Sequence, residues 1–346
     1  MTPGPSLTTV AVEFPPYQVG QTEALAGLSG FGGPQFDRFA ASAGVEWRRI
    51  ALPLAEYGTL TGFTEANDIY IDVAMTLAER AILAALDSAD LKPADVDVIF
   101  STTVTGLAVP TVEARLATRI GLRPDVKRVP LFGLGCVAGA AGVARMHDYL
   151  LAFPGHVGVL LAVELCSLTL QRDDSSIANL VASSLFGDGA AAVVGKGGNH
   201  SCTGPRVLAT RSRIYPDTED VMGWDIGSSG FKIKLSTEVA TVAEKYVGDD
   251  VRNFLSDYGL GKADIATWIC HPGGPKVIEA IENTLDLPVD ALDHTRNSLR
   301  DNGNMSSVSV LDVLRANLAD PPPPGSFGLM IAMGPAFCSE LVLLGW

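Results

Sequence analysis

The run Val129-Pro130-Leu131-Phe132-Gly133-Leu134-Gly135-Cys136-Val137-Ala138-Gly139-Ala140-Ala141-Gly142 constrains this 346-residue chain more than any other. Apolar, strand-like residues feed a glycine turn, and Cys136 follows at once. The Ala and Gly residues after it predict a helix thin enough to press against its neighbours without a gap. Strand, tight turn and deeply packed helix together are the signature of an α/β architecture. A cysteine at a helix N-terminus also faces unpaired backbone N–H groups and the positive end of the dipole, which favours the thiolate. Taken alone, the plainer reading is a buried structural cysteine.

Two later segments change that balance. Residues 265–278 read as a buried strand ending at His271, a Pro/Gly turn, and a helix with Pro275 near its first position. A histidine at the C-terminal end of a strand is well placed to face a crevice. Strand alternation turns Cys270 the opposite way, into the core. In residues 301–311 a polar loop with Gly303 enters an apolar-periodic helix, and Asn304 stands just before it. Its bland reading is a helix N-cap, since Asn is among the best caps.

The order Cys136, His271, Asn304, each on a glycine-containing junction, resembles the Cys–His–Asn triad of the type III polyketide synthases, the chalcone-synthase-like family. The resemblance extends through Leu185-Phe186-Gly187-Asp188-Gly189-Ala190-Ala191, the His-Pro-Gly-Gly-Pro run at 271–275, Gly303-Asn304-Met305-Ser306-Ser307 and Met333-Gly334-Pro335-Ala336. These stand in family order over nearly the whole chain. The bacterial branch looks most similar, in particular actinobacterial synthases that make alkylpyrones from fatty acyl-CoA.

The resemblance implies a five-layered αβαβα thiolase-like fold made of two pseudo-repeated halves. We expect a half at 1–200 carrying the nucleophile and a half at 201–346 carrying the histidine and asparagine, with the boundary near the Gly, Asn, His and Ser cluster at 195–204. It also implies a mechanism. Cys136 takes an acyl group from acyl-CoA, with His271 stabilising its thiolate as an ion pair. His271 and Asn304 then donate to the thioester carbonyl of malonyl-CoA (or methylmalonyl-CoA) as CO₂ leaves, and the enolate attacks the acyl carbon. No metal or redox cofactor is required; the CoA thioesters are substrates. Phe186 matches a gatekeeper phenylalanine between CoA tunnel and cavity. Cys166 and Ser306 match cavity-lining positions, and Gly334 and Pro335 belong to a loop that in plant members reads Gly-Phe-Gly-Pro-Gly. A second gatekeeper falls near 230–234, where Ile233 is a candidate and Phe231 receives no role. Arg38 matches a CoA-contacting basic position, with Arg48 and Arg49 in the same region. Val109 stands at the tip of a loop that crosses a dimer interface, so a homodimer is expected. Mainly alkyl α-pyrones are the expected products. The alternatives are an alkylresorcinol-forming or 1,3,6,8-tetrahydroxynaphthalene-type synthase, or a ketoacyl synthase working with a carrier protein.

Composition agrees with an enzyme of this kind. The chain is 47% hydrophobic and 18% charged with 36 glycines, which suits a compact, sheet-rich protein. A net charge of −14 argues against nucleic acid and leaves acyl-CoA, itself anionic, dependent on a few local basic residues. It also disfavours docking to an acidic carrier protein. No apolar run approaches the ~18–20 residues of a membrane span, and residues 1–6 lack the pattern of a signal peptide. Five cysteines without close pairing form no disulfide framework or CxxC metal pattern, so a reduced, cytoplasmic setting is expected. A papain-like thiol hydrolase also uses Cys, His and Asn, but its cysteine lies near the mature N-terminus.

The periodicities predict a helix over 64–91, a strand over 96–101, a helix over 111–120 stopped by Gly121, and a buried strand over 156–164. Further on they predict helices from 236 and 275 flanking the Trp268 strand, and closing strands through Leu329 and Leu343. The run Pro321-Pro322-Pro323-Pro324 has to be an exposed loop.

Overall fold

The computed structural model describes residues 4–28, 38–201 and 204–346. The first part of the chain runs β1 (Ser6–Glu13), β2 (Tyr17–Gly20), α1 (Gln21–Leu28), β3 (Trp47–Ile50), α2 (Phe63–Ser88), β4 (Val98–Thr103) and α3 (Val112–Ile120). It continues through β5 (Lys127–Phe132), α4 (Ala138–Ala152), β6 (Val157–Leu165), α5 (Ile177–Leu185) and β7 (Asp188–Lys196). Next come β8 (Arg206–Ile214), the hairpin β9 (Met222–Gly227) and β10 (Gly230–Leu235), α6 (Val239–Asp257), β11 (Ile265–Cys270) and α7 (Pro275–Leu285). The chain closes with α8 (Asp293–Asn302), α9 (Ser307–Ala319), β12 (Phe327–Gly334) and β13 (Cys338–Gly345).

Nine strands line up in the order β11-β12-β13-β8-β1-β7-β6-β4-β5. The two sides are stitched by one residue pair, Ser6 with Arg206, so each behaves as a sheet of its own. On one side β6 is buried at every position, as a strand covered on both faces must be. Helix α2 covers the outer face of that sheet. Helices α6 and α7 cover the outer face of the other. Between the sheets lie α4 and α9, whose apolar residues join strands of both sides in a third core. The result is helix, sheet, helix, sheet, helix: the five layers expected.

The small-residue run makes the middle layer possible. A Cβ on Gly139 would stand 2.3 Å from the Ser307 carbonyl oxygen of α9, and one on Gly142 would stand 2.4 Å from Leu160 Cδ1 of β6. Helix α4 therefore touches backbone on one side and sheet on the other. Both helices begin at the same end of the layer, which brings Cys136 and Asn304 together.

Several element limits shift. The long helix spans Phe63–Ser88 and the helix expected from 236 starts at Val239. Gly121 does terminate α3, in the left-handed conformation. Asn304 caps nothing: α9 begins at Ser307 and its N-cap position is Ser306.

Candidate active site

Cys136 sits in a single 3-10 turn, Gly135–Val137, that leads directly into α4. Gly135 turns the chain at φ +59°, and a Cβ there would meet Pro335 Cδ at 2.7 Å. A Cβ on Gly334 would meet the Leu134 carbonyl oxygen at 2.6 Å. The 333–336 loop thus packs glycine-close against the nucleophile turn. Ala336 takes φ +58° where plant family members carry glycine, a conformation that costs a side chain on the order of 1–2 kcal/mol. Thr218 Oγ1 donates to its carbonyl at 3.1 Å.

His271 follows the last residue of β11, and its backbone N–H continues the ladder to Ile331 O at 2.9 Å. Its ring is buried, and neither Nδ1 nor Nε2 has a hydrogen-bond partner among the described residues. A buried imidazole with two unused nitrogens is unusual. Asn304 is fixed from both sides. Its N–H donates to Leu185 O at 2.9 Å, and its carbonyl accepts from Gly187 N–H at 3.0 Å. Its side-chain Oδ1 accepts from Ser306 N–H at 2.8 Å. That bond leaves Nδ2 as the group free to donate. Ser306 adopts φ +50° to make it, and its hydroxyl accepts from the Cys136 thiol at 3.6 Å.

Cys136, His271, Asn304, Cys166, Ser306, Phe186 and Pro335 line one cavity. Seven of the residues singled out from sequence therefore converge, and two of them, Cys136 and Ser306, are hydrogen-bonded across 170 positions. Gly334 acts behind the wall through its backbone. Burial pushes the Cys136 thiol up to about 12, while its hydrogen bond with Ser306 pulls the other way. Burial pushes His271 down to about 3. Behind Cys166, the fully buried Glu164 accepts from Ser307 Oγ at 2.6 Å, Thr105 Oγ1 at 2.8 Å and Val104 N–H at 3.1 Å, and its burial raises it to about 7. Cys270 is core, as strand alternation predicts. The four described cysteines are all free.

A second cavity adjoins the first. The two share Cys166, Phe186, Trp224 and Ile233 as a partition. Trp224 was not foreseen. The signal was present, since apolar residues alternate on either side of Ser228-Ser229-Gly230, the pattern of a hairpin. Of the two residues near 230–234, Ile233 faces the cavities, while Phe231 packs edge-on to Phe63 with centroids 5.5 Å apart.

The basic residues divide. Arg38 is exposed. Arg48, expected near CoA, is instead buried in the wall of the second cavity. Its Nη1 donates to the carbonyls of Ser183 (2.7 Å) and Phe186 (3.1 Å), and its Nη2 to Ser184 O (2.7 Å) and Gln21 Oε1. It cannot reach a CoA phosphate in solvent. Arg49 lies over the Phe14 ring, 5.9 Å from its centroid. Val109 is 94% exposed.

Two halves that meet around a buried cysteine, histidine and asparagine define an acyl-transferring, condensing enzyme. Residues 53–198 match the N-terminal domain of the chalcone and stilbene synthases, and residues 206–345 match the C-terminal domain. The chain belongs to this family and is a type III polyketide synthase. It is 50% identical to a 1,3,6,8-tetrahydroxynaphthalene synthase of Streptomyces peucetius subsp. caesius, over 99% of this chain and 93% of that one. It is 34% identical to a 3,5-dihydroxyphenylacetyl-CoA synthase of Amycolatopsis orientalis, over 81% and 76% of the two chains. The crystal structure of the tetrahydroxynaphthalene synthase of Streptomyces coelicolor A3(2) superposes with a TM-score of 0.94 at 30% identity, covering 99% of both chains.

Proposed function

We propose that this synthase primes itself with malonyl-CoA and makes 1,3,6,8-tetrahydroxynaphthalene. The observation that carries this reading is the 50% identity to a synthase of that name across 99% of the chain. It replaces alkylpyrone synthesis as the leading product. The carbon count is consistent: ten ring carbons are five two-carbon units, so five malonyl-CoA yield the product, five CO₂, five CoA and one water.

In this reading Cys136 carries the growing thioester. Asn304, with its amide turned by Ser306, donates through Nδ2 to the extender carbonyl, and His271 donates beside it as charge develops on decarboxylation. Phe186 separates the reaction cavity from the CoA approach, where Arg38 is the candidate for the anionic end of CoA. The active form is a homodimer. Val109 is nearly fully exposed in the single chain, and Phe132 is half exposed on the edge strand β5; a partner would cover both. Among the described residues no helix is long and apolar enough to cross a membrane, and the free thiols suit the cytoplasm.

Alkylpyrone synthesis from aliphatic acyl-CoA is the second reading. It rests on the second cavity, whose walls include Val19, Ile50, Leu54 and Leu170 and could take an alkyl tail. The test is product analysis by mass spectrometry. Malonyl-CoA alone should give tetrahydroxynaphthalene, and Cys136→Ala should give none. No product from malonyl-CoA alone, with pyrones appearing only from a hexanoyl- to palmitoyl-CoA starter, would reverse the two readings.

A further inference from the structure

The two halves differ by one strand. Counted outward from the seam between β1 and β8, the first half runs β1-β7-β6-β4-β5 and the second runs β8-β13-β12-β11. The directions agree pair by pair. β1/β7 and β7/β6 are antiparallel, as are β8/β13 and β13/β12, and then β6/β4 is parallel like β12/β11. On this match β5, which lies parallel beside β4, has no counterpart beside β11 among the described residues. The connections show where it went. Between α3 and α4 the chain forms β5, whereas between α7 and α9 it forms the helix α8. Helix α8 touches the far end of the open edge, where Thr295 Oγ1 donates to Cys270 O at 3.1 Å. His271 N–H points to β12, so alternation turns the backbone of Trp268 outward with that of Cys270.

Residues 265–268 of that edge form the floor of a surface groove, walled by the 286–294 segment and by Asp320 with Pro321-Pro322-Pro323. A proline wall has no N–H to offer the strand. No backbone hydrogen bond joins the 286–293 segment to β11 among the described residues. The rim is acidic. Asp286, Asp290, Asp293 and Asp320 are exposed around it, against Lys262 and His294. Lys262 is committed to Asp286 at 2.6 Å, and His294 stands 4.0 Å from Asp320. Asp290 and Asp293 have no cationic partner among the described residues. We propose that this groove binds an extended, basic segment of a partner protein, which joins β11 as the fifth strand of the second sheet. An open strand edge offers such a segment main-chain hydrogen bonds. The carboxylates select its charge, and the open edge gives it a span of about 13 Å. A second copy of this chain is the poorer occupant, because at a net charge of −14 it brings like charge to an acidic rim.

The test uses the full chain and a fluorescent octapeptide of alternating lysine and valine, read by anisotropy at low salt. One control peptide carries glutamate for lysine. The other keeps every lysine but carries proline at its central valines, so it has the charge without the ladder donors. The lysine–valine peptide should bind saturably, and both controls should bind about tenfold or more weakly. Asp290→Lys combined with Asp293→Lys should weaken the lysine–valine peptide by a similar factor. The same double variant should leave CoA release from malonyl-CoA unchanged, which shows that it folds. Bound peptide should also slow hydrogen exchange at the Trp268 amide. Equal binding of the valine and proline peptides would reduce the groove to an acidic patch and overturn the proposal. So would the absence of saturable binding, or exchange at Trp268 that the peptide does not change. A wild type that associates beyond a dimer, and that the double variant returns to a dimer, would give the groove to a second copy and overturn the partner assignment.

Discussion

Gly187 offers the sharpest test of how the two halves hold the site. It lies between Phe186 and Asp188, and its N–H donates to the Asn304 carbonyl. A Cβ added there would stand 2.2 Å from the Asn302 carbonyl oxygen and 3.4 Å from Arg48 Cβ. Ordinary contact begins near 3.4 Å, so Gly187→Ala must move one strand of backbone from the other by more than 1 Å. Neither side is the end of a flexible side chain. The displacement falls on the 302–304 loop and breaks the bridge between Phe186 and Asn304. Overpacking of this kind costs ~1–3 kcal/mol of stability. Misplacing a catalytic group by about 1 Å costs on the order of 10²-fold in rate. We therefore expect Gly187→Ala to fold, to melt a few degrees lower, and to lose roughly a hundredfold in kcat for CoA release from malonyl-CoA. Acyl labelling of Cys136 should persist, since the nucleophile turn is not touched. A variant with kcat within about threefold of wild type and an unchanged melt would show that the bridge does not set the position of Asn304.

Two further outcomes follow from the geometry. Val109→Asp should convert a dimer of twice 36.3 kDa into single chains by light scattering at micromolar concentration; a wild type that already scatters as one chain removes the dimer proposal. The buried Glu164 is raised from 4.5 to about 7 by burial, so the folded state holds its proton more tightly than the unfolded one. Its contribution to stability is complete below pH 4.5 and is lost as pH rises through 7, a change of about 3 kcal/mol. Glu164→Gln should flatten the fall in stability between pH 5 and 8 in denaturant melts, and an unchanged slope would place the cause elsewhere.

The parts of this molecule that sequence made legible are those where local chemistry and global position agree. Gly135-Cys136 and the Ala/Gly run after it announce a helix that must be thin, and the contacts of Gly139 and Gly142 show why. The strand ending at His271 is marked by its apolar run and by Pro275. Asn304 shows where such reading stops. By local propensity it is a cap, yet its backbone is taken by Leu185 and Gly187, 117 or more positions away, and no local pattern carries that information. Arg48 and Trp224 were hidden for the same reason. An arginine two residues from Glu46 reads as surface until α5 is laid over it, and the hairpin holding Trp224 gains its meaning only from the cavity it closes.

Magnitudes also correct the first account of the nucleophile. A helix start favours a thiolate by ~0.3–1 kcal/mol, and by about 2 kcal/mol in partly buried geometry. Burial works against it, moving the thiol from 9.0 to about 12, which is about 4 kcal/mol. The turn at Gly135 therefore has the right sign and too small a size. Activation needs a group that takes the proton within the same cavity, because transfer from Cys136 to His271 separates charge without adding any to the site. In the proposed reading that group is His271, whose ring follows the last residue of β11 in the other sheet and whose two nitrogens have no partner among the described residues, although burial lowers it to about 3. In the proposed reading the thiol becomes a nucleophile only where the two sheets meet, since the cysteine and the histidine follow strands of different sheets.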